Sequence, residues 1–155
     1  EFPIAILTAD CAPILIYDEK EKMIAAIHAG WKGAFKGIIN RTLNFMIKKG
    51  CTPKNITAVI GPCISVKSYE VKKDFIKKLI KKDGKNKKFF KKIQNKDFFN
   101  LKKYIYSQLK TLNIKKIDII NKDTFNPKNS FFSARRSISR NENDYGRNIS
   151  VIMIN

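Results

Sequence analysis

Histidine, cysteine and long apolar runs are all scarce in this sequence of 155 residues. The only histidine is His28, and the only cysteines are Cys11, Cys51 and Cys63. Three widely spaced thiols do not indicate a disulfide framework, and they are typical of a protein kept reduced in the cytoplasm. The apolar runs have only the length of strands, so we predict no membrane-spanning helix and no membrane partner.

Acidic residues are also few, since 13 Asp and Glu stand against 32 Lys and Arg and leave a net charge of +19. Such an excess occurs in proteins that bind nucleic acids or anionic membranes. No nucleic-acid-binding module accompanies it here, and the lysines occur in pairs on the polar faces of predicted helices. With abundant Asn, Ile and Phe, this composition is typical of a genome rich in A and T. We therefore expect no nucleic-acid partner, but a positive field that attracts phosphate-bearing substrates.

Apolar residues make up 43% of the chain, and they recur in periodic segments along its whole length. This predicts a single folded domain over residues 1–155. The chain begins at Glu1 without a methionine, almost directly with a predicted buried strand at residues 2–7. We therefore expect that the N-terminal portion of the natural protein is missing. Residues 81–96 are polar and rich in lysine, which predicts a loop or insertion.

Residues 8–33 are the most informative stretch, and they are predicted to form a β-hairpin with a charged tip. A turn centred on Glu19 and Lys20 places Cys11 directly opposite His28. Directly opposed side chains on one face of an antiparallel pair have Cβ atoms about 4.5–5.5 Å apart. The thiol and the imidazole would then be close enough to share one metal ion or one proton.

The residues after His28 predict a glycine-flanked turn followed by a helix. Phe35, Ile38 and Leu43 recur at helical spacing, and Gly50 stands where a C-terminal cap is expected. His28 would therefore end a strand just before a helix N-terminus. Because such a terminus carries unpaired N–H groups and a partial positive charge, it is a natural site for phosphate or another anion.

Further apolar runs at residues 56–60, 117–120 and 149–154 predict strands, and amphipathic segments between them predict helices. The front hairpin requires antiparallel neighbours, whereas strand–helix units favour parallel ones. The sequence therefore predicts an α+β fold, a layered α/β sandwich with mixed β-sheets, in which the front hairpin is followed by strand–helix units.

Two chemistries are compatible with Asp10, Cys11 and His28 as a catalytic group. A thiolate and imidazoles suit zinc, with an open position for water. Alternatively, Cys11 is a nucleophile and His28 its base, as in metal-free cysteine hydrolases and deamidases. Taken singly, each residue could also be structural, and the residues alone do not choose between these alternatives.

Four motifs resemble those of the laccase-domain (YfiH-like) family, in the same order along the chain. They are TADCAPI at residues 8–14, HAGWKG at 28–33, IGPCI with YEV at 60–71, and FFSARR with GR at 131–147. Members of this family are described as polyphenol oxidases and as zinc-dependent purine nucleoside phosphorylases with adenosine deaminase activity. The resemblance covers nearly the whole chain.

The resemblance implies that Cys11 and His28 are zinc ligands, with a third histidine from a motif N-terminal to TADC that this chain lacks. It also brings Cys63 beside the site as a candidate substrate contact, against the alternative of a buried filler. Arg136 and Arg147, with Arg135 as a further candidate, could grip phosphate or ribose, against the alternative of a solvated basic surface. The natural substrates would be a small nucleoside and phosphate.

Two departures from the family pattern affect the substrate pocket. Asp123 stands where the family usually has a cysteine, and Ala134 stands where it has an aromatic residue. Our main hypothesis is nonetheless an enzyme in which phosphate attacks C1′ of adenosine or inosine. The alternatives are a copper-dependent polyphenol oxidase, which a single histidine disfavours, a metal-free Cys–His hydrolase or deamidase, and a non-catalytic basic binding protein.

Overall fold

Strands and helices alternate in the structure, a computed structural model that describes residues 2–155. The strands are β1 (Ile4–Thr8), β2 (Ala12–Asp18), β3 (Met23–Ala29), β4 (Ile56–Ile60), β5 (Phe90–Ile93), β6 (Lys96–Phe99), β7 (Lys116–Ile119) and β8 (Asn148–Ile152). The α-helices are α1 (Trp31–Phe35), α2 (Ile38–Lys48), α3 (Lys73–Lys82), α4 (Leu101–Thr111) and α5 (Ala134–Ser139), and 3₁₀ helices span Gly84–Phe89 and Pro127–Asn129.

The central sheet has the strand order β3-β2-β4-β7. Strand β2 is antiparallel to both of its neighbours, whereas β4 and β7 are parallel. The predicted mixed sheet is therefore confirmed. Two antiparallel pairs complete the strands, a β1–β8 ribbon that contacts β2 and β3, and a β5–β6 hairpin.

The main core lies between the central sheet and α2. Ile14 and Ile16 are fully buried. They lie on the same face of β2, because successive residues of a strand point to opposite faces. They share one cluster with Ile39, Leu43 and Met46, which recur at helical spacing on one side of α2. Complete burial of each such side chain stabilises the fold by about 1.5–3 kcal/mol.

The front hairpin is present, but its register differs by two residues from the predicted one. The structure pairs Asp18 with Met23, Ile16 with Ala25, and Pro13 with His28. The predicted register was wrong because the loop, residues 19–22 between Asp18 and Met23, is centred on Lys20 and Glu21 and not on Glu19 and Lys20. Asp18 closes that loop with its side chain, since its Oδ1 accepts hydrogen bonds from the N–H groups of Lys20 (2.9 Å) and Glu21 (3.0 Å).

The predicted helix after His28 is divided into two. Gly37 adopts φ = +85°, a left-handed conformation that favours glycine, and it separates the single turn of α1 from α2. Gly50, at φ = +105°, follows the end of α2 as predicted. Because α1 has only five residues, few peptide dipoles are aligned in it. The anion site predicted at its N-terminus therefore has no structural support.

Residues 81–96 do not form the predicted loop. They include the end of α3, a 3₁₀ helix and the β5–β6 hairpin, whose turn at Gln94 and Asn95 has positive φ at both residues. Phe89 is buried, and the Phe90 ring contacts the Phe99 ring at 5.2 Å between centroids. A few aromatic residues thus give this segment a regular structure. Its many lysines hide the apolar periodicity that would have indicated that structure in the sequence. That it is an insertion stays a prediction.

The predicted buried strand at residues 2–7 is half exposed as β1. One side of the β1–β8 ribbon is apolar and open to solvent, with Leu7 54% exposed, Ile149 64% and Val151 50%. The ribbon therefore buries one face only, as antiparallel pairs commonly do. Within residues 2–155, no helix has the length and apolarity that a bilayer crossing requires.

Candidate active site

The turn between β1 and β2 carries the first candidate residue. Asp10 is 9% exposed and adopts φ = +77°. One carboxylate oxygen accepts a hydrogen bond from the Thr124 hydroxyl (2.6 Å), and the other accepts from the Ser133 hydroxyl (2.9 Å) and the Arg135 amide (2.7 Å). Both oxygens are therefore engaged by the C-terminal part of the chain. Asp10 therefore links the turn between β1 and β2 to the C-terminal part of the chain through hydrogen bonds. A catalytic role for Asp10 stays a prediction.

Cys11 follows directly and is half-buried. A Cβ atom built on Gly30 would lie 2.6 Å from the Cys11 sulfur, so the thiol occupies the space that a side chain at position 30 would need. Burial raises the pKa of the Cys11 thiol, and the negative charge of Asp10 raises it further. Without a metal, the sulfur is therefore a protonated thiol at neutral pH, which is a poor nucleophile.

His28 lies near the end of β3 and is exposed. It pairs with Pro13, and Cys11 lies one residue before the first ladder pair, Ala12 with Ala29. The prediction that Cys11 and His28 stand directly opposite each other is therefore wrong. They lie at the same margin of the sheet but in offset positions, because the loop is centred one residue further along the chain than predicted, which shifts one strand along the other.

The donors fit zinc in kind but not in number. A thiolate and an imidazole are typical zinc ligands, and a catalytic site uses three protein ligands. No group of three histidine, cysteine or acidic side chains within residues 2–155 is placed to hold a metal ion. A multicopper centre fits less well, since copper sites of this kind use several imidazoles and the chain has one histidine.

A cavity of about 170 Å³ opens beside Cys11. Its lining includes Asp10, Cys11, Trp31, Tyr69 and Arg135, together with small and aliphatic side chains. The cavity thus combines one thiol, two aromatic rings and one guanidinium group. His28 is not one of the described residues that line this cavity.

Two aromatic residues of the cavity are held by the apolar core. The Trp31 ring meets Phe75 edge-on at 4.7 Å, and the Tyr69 ring meets Phe99 at 5.8 Å. Burial raises the pKa of the Tyr69 phenol. Trp31 thus packs against the core and also lines the cavity. Tyr69 was not among our predicted site residues.

Arg135 is the arginine that faces the cavity. Its guanidinium lies over the Tyr69 ring at 5.4 Å and donates a hydrogen bond to the Glu70 carbonyl at 3.0 Å. Its backbone N–H is fixed by Asp10. Two contacts therefore hold the guanidinium and a third holds the backbone of Arg135, in the wall of the cavity that Cys11 also lines.

Comparison with known proteins agrees with this arrangement of motifs. The model of a family described as multi-copper polyphenol oxidoreductase laccase matches residues 1–155. The chain belongs to this family. Its predicted membership is therefore confirmed, and we refer to it below as the laccase-domain chain.

Curated relatives of the laccase-domain chain carry the name purine nucleoside phosphorylase. One from Rickettsia conorii is 38% identical over 148 residues, which are 94% of this chain and 60% of the relative. One from Haemophilus influenzae is 35% identical over 150 residues, 95% of this chain and 58% of the relative. The laccase-domain chain thus spans a little over half the length of these relatives.

Solved structures share the fold. A Neisseria meningitidis protein matches with a TM-score of 0.83 and 28% identity, covering 96% of this chain and 59% of that one. The YfiH protein of Bacillus licheniformis matches with a TM-score of 0.83 and 30% identity, covering 96% of this chain and 56% of that one. The predicted fold class is therefore confirmed.

Arg136, predicted to contact substrate, is turned away from the cavity of the laccase-domain chain. Its guanidinium donates hydrogen bonds to the carbonyls of Thr124 (2.8 Å), Phe125 (2.9 Å) and Phe131 (2.5 Å). These bonds tie together the loop before α5. Substrate contact by Arg136 stays a prediction, and the geometry favours a structural role.

Two other predicted substrate contacts also lie outside the cavity. The Arg147 guanidinium lies 4.8 Å from the Tyr145 ring and 3.6 Å from the Asp144 carboxylate, both near it in sequence. Cys63 is fully buried, and its burial raises the pKa of the thiol to about 12. Both assignments stay predictions, and neither side chain is brought to the cavity.

Asp123, one of the two departures from the family pattern, has a clear structural role. Its carboxylate accepts hydrogen bonds from the amide and hydroxyl of Ser65 (3.0 and 2.6 Å), the Ser68 hydroxyl (2.7 Å) and the Phe125 amide (3.0 Å). Partial burial raises the pKa of Asp123, but these hydrogen bonds together lower it below its usual value. No local sequence pattern indicates the bonds to Ser65 and Ser68, because both serines are more than 50 residues from Asp123.

Proposed function

We propose that this chain forms part of a purine nucleoside phosphorylase. In that reaction a phosphate oxygen attacks C1′ of the nucleoside, and the bond between C1′ and N9 breaks. The bonding electrons leave with the purine, which takes up a proton, and the sugar becomes ribose 1-phosphate. The names of the curated relatives support this proposal.

The position of Arg135 is the observation that carries the proposal. A guanidinium binds phosphate oxygens through two parallel hydrogen bonds, and it stays charged at every relevant pH. Beside it, Trp31 and Tyr69 offer aromatic surfaces on which a purine could stack. An oxyanion and a planar base are the two groups that a phosphorylase must bring together.

The size of the cavity limits what this chain binds alone. Pockets for complete small-molecule ligands usually measure about 300–1,000 Å³, whereas this one measures about 170 Å³. We therefore propose that it holds one part of the substrates, the phosphate or the base, with the remainder of the nucleoside outside it.

We further propose that Cys11 and His28 are two ligands of a zinc ion, whose remaining protein ligand would have to come from beyond residues 2–155. Zinc in such a site lowers the pKa of a bound water to about 7 and polarises bound oxygen atoms. The residues of this chain would meanwhile bind and orient phosphate through Arg135. Asp10 would hold Arg135 in place by accepting a hydrogen bond from the backbone N–H of Arg135.

The metal-free cysteine hydrolase receives less support, because its thiol would be largely protonated at neutral pH and the histidine is offset from it. No contact in the structure favours deamination of adenosine, which remains a second activity to assay. A cytoplasmic location is proposed from the reduced thiols alone.

The test is incubation of the protein with inosine, phosphate and zinc, followed by chromatography for hypoxanthine and ribose 1-phosphate. Adenosine in a parallel reaction would reveal deamination as inosine. We expect Arg135→Gln to raise the KM for phosphate about tenfold or more, because a charged hydrogen bond contributes about 1.5–3 kcal/mol.

Arg140→Gln is the matched control, since Arg140 is exposed and paired with Glu142 at 3.8 Å outside the cavity. Its KM for phosphate should match that of the wild type. Nucleosides that remain intact in the presence of phosphate and zinc would refute the proposal, and equal effects of the two variants would remove its main support.

A further inference from the structure

The positive charge of this protein is concentrated in one part of the chain. Residues 72–103 contain fourteen lysines and three aspartates, so they carry eleven of the nineteen net positive charges in a fifth of the sequence. An overall bias of composition towards lysine would distribute the excess more evenly. The concentration therefore calls for a structural explanation.

In three dimensions this segment builds one continuous region. It comprises α3, the 3₁₀ helix at Gly84–Phe89, the β5–β6 hairpin and the start of α4. Three adjoining concavities of about 520, 340 and 360 Å³ run along it. The first and second share Lys88 and Phe89, and the second and third share Asn100 and Lys103.

We call these three concavities the basic furrow. It is separate from the cavity beside Cys11, with which it shares no lining residue among those described. The lysines that line it are Lys82, Lys85, Lys88, Lys91, Lys102 and Lys103.

The charge of the basic furrow is not neutralised by nearby carboxylates. Within residues 2–155, none of its six lysines lies within 4.0 Å of an acidic oxygen. Its one acidic lining residue, Asp83, accepts a hydrogen bond from the Lys85 backbone N–H at 2.8 Å. Lys102 is only 8% exposed, and its ammonium donates to the Asn121 side chain and the Lys122 carbonyl.

Lys102 therefore lines the basic furrow with neutral acceptors on its ammonium and no carboxylate partner within residues 2–155. A row of lysines along one furrow matches a ligand whose negative charges also form a row. A polyphosphate backbone has that distribution of charge.

Aromatic side chains indicate which polyphosphate. Phe90 and Tyr106 are half-buried and line the basic furrow. Proteins that bind single-stranded nucleic acid combine a positive groove with aromatic rings on which bases stack. Duplex recognition instead uses an element that projects into a groove of the DNA, and here the surface is concave.

We propose that the basic furrow binds single-stranded nucleic acid through its phosphate backbone, with Phe90 and Tyr106 beside the bases. The sequence alone indicated no such partner. The placement of the lysines in one furrow, together with the aromatic rings, changes that expectation. The proposal is independent of the phosphorylase activity.

The test is fluorescence anisotropy with a labelled 12-nucleotide single strand of mixed sequence, titrated with the protein between 50 and 300 mM salt. Each phosphate contact contributes about −0.7 to the slope of log affinity against log salt concentration. We expect a slope of about −4 for the wild type, since six lysines line the furrow.

The decisive variants remove equal charge at two places. Lys85→Gln, Lys88→Gln and Lys103→Gln together should weaken binding at least about tenfold at 100 mM salt and reduce the steepness of the slope by about 2. The matched control combines Lys48→Gln, Lys49→Gln and Lys54→Gln, all exposed and outside the basic furrow. It should bind within about a factor of two of the wild type, and circular dichroism confirms that both variants are folded.

Three results would overturn the proposal. The first is equal weakening by both triple variants, which would mean that general surface charge binds the strand. The second is the absence of salt-dependent binding at 50 mM salt. The third is a competition in which inorganic polyphosphate of equal phosphate number, or the corresponding duplex, displaces the strand as well as unlabelled single strand does.

Discussion

The Asp10 carboxylate and the Ser133 hydroxyl lie 2.9 Å apart, although 123 residues separate them in sequence. Ser133 is also the N-cap of α5, where its hydroxyl accepts a hydrogen bond from the Arg136 amide at 3.1 Å. One serine therefore connects the turn before β2 with the first turn of α5. Together with the bond from the Arg135 amide to Asp10, this contact holds the start of α5 against the cavity that Cys11 lines, so the candidate site depends on it.

Substitution of Asp10 by alanine should destabilise the protein by about 3 kcal/mol. It leaves two buried hydroxyls and an amide without their acceptor, and alanine also disfavours the positive φ of this position. Urea denaturation followed by circular dichroism measures the change. The control Asp144→Ala removes an exposed carboxylate and should change the free energy of unfolding by less than about 0.5 kcal/mol.

Substitution of Gly30 by alanine should cost about 1–3 kcal/mol, because its Cβ would lie 2.6 Å from the Cys11 sulfur. The same substitution at Gly84, where the added Cβ would meet no atom of a non-neighbouring residue within 4 Å, should have little effect. A double-mutant cycle identifies the cause. In a Cys11→Ala background, Gly30→Ala should become nearly neutral, and a cost that persists there would show that the sulfur is not responsible.

The stability of the protein should decrease in acid partly through Asp123. Its pKa in the folded state is below the ordinary value of 3.8, so the unfolded chain binds the proton more readily. The stabilisation is therefore complete above about pH 4 and is lost as the pH falls through the folded-state pKa. Urea unfolding between pH 2 and 7 should show a smaller decline for Asp123→Asn than for the wild type, and an unchanged decline would contradict this account.

The three thiols should differ in their rates of alkylation. Cys11 is half-buried, whereas Cys51 is 2% exposed and Cys63 is fully buried. Iodoacetamide at pH 8, followed by mass spectrometry of peptides, should modify Cys11 first and Cys63 only on unfolding.

The same experiment tests the proposed zinc ligands without an activity assay. Zinc should slow the alkylation of Cys11, since a coordinated thiolate is less accessible to the reagent. The protection should be lost in His28→Ala. If zinc leaves the rate at Cys11 unchanged in the wild type, Cys11 and His28 do not hold zinc in this chain.

The elements of the fold were predictable where apolar runs are long and bounded by turns. Strand β4, Ile56–Ile60, matches its predicted range, and the hairpin and mixed sheet are present. The hairpin register was not predictable from apolar alternation, because pairings that differ by two residues place the same side chains on the same face. The loop closed by Asp18 decides between them.

The arginines show why the site was harder to predict than the fold. Arg135 and Arg136 are adjacent, and successive residues of a helix point about 100° apart around its axis. One guanidinium therefore faces the cavity, whereas the other binds backbone carbonyls. Nothing in the local sequence distinguishes the two. Tyr69 likewise reaches the cavity only through packing against Phe99 and Phe75, which lie on other elements.

The β1–β8 ribbon has a consequence for synthesis on the ribosome. Residues 4–8 leave the exit tunnel well before their strand partner, residues 148–152, so Ile4 waits for Ile152 before its backbone is paired. Since translation adds about 5–20 residues per second, the first strand is without its partner for several seconds. The hairpin and β4 can assemble cotranslationally in that time, whereas the ribbon closes only after residues 148–152 have left the ribosome.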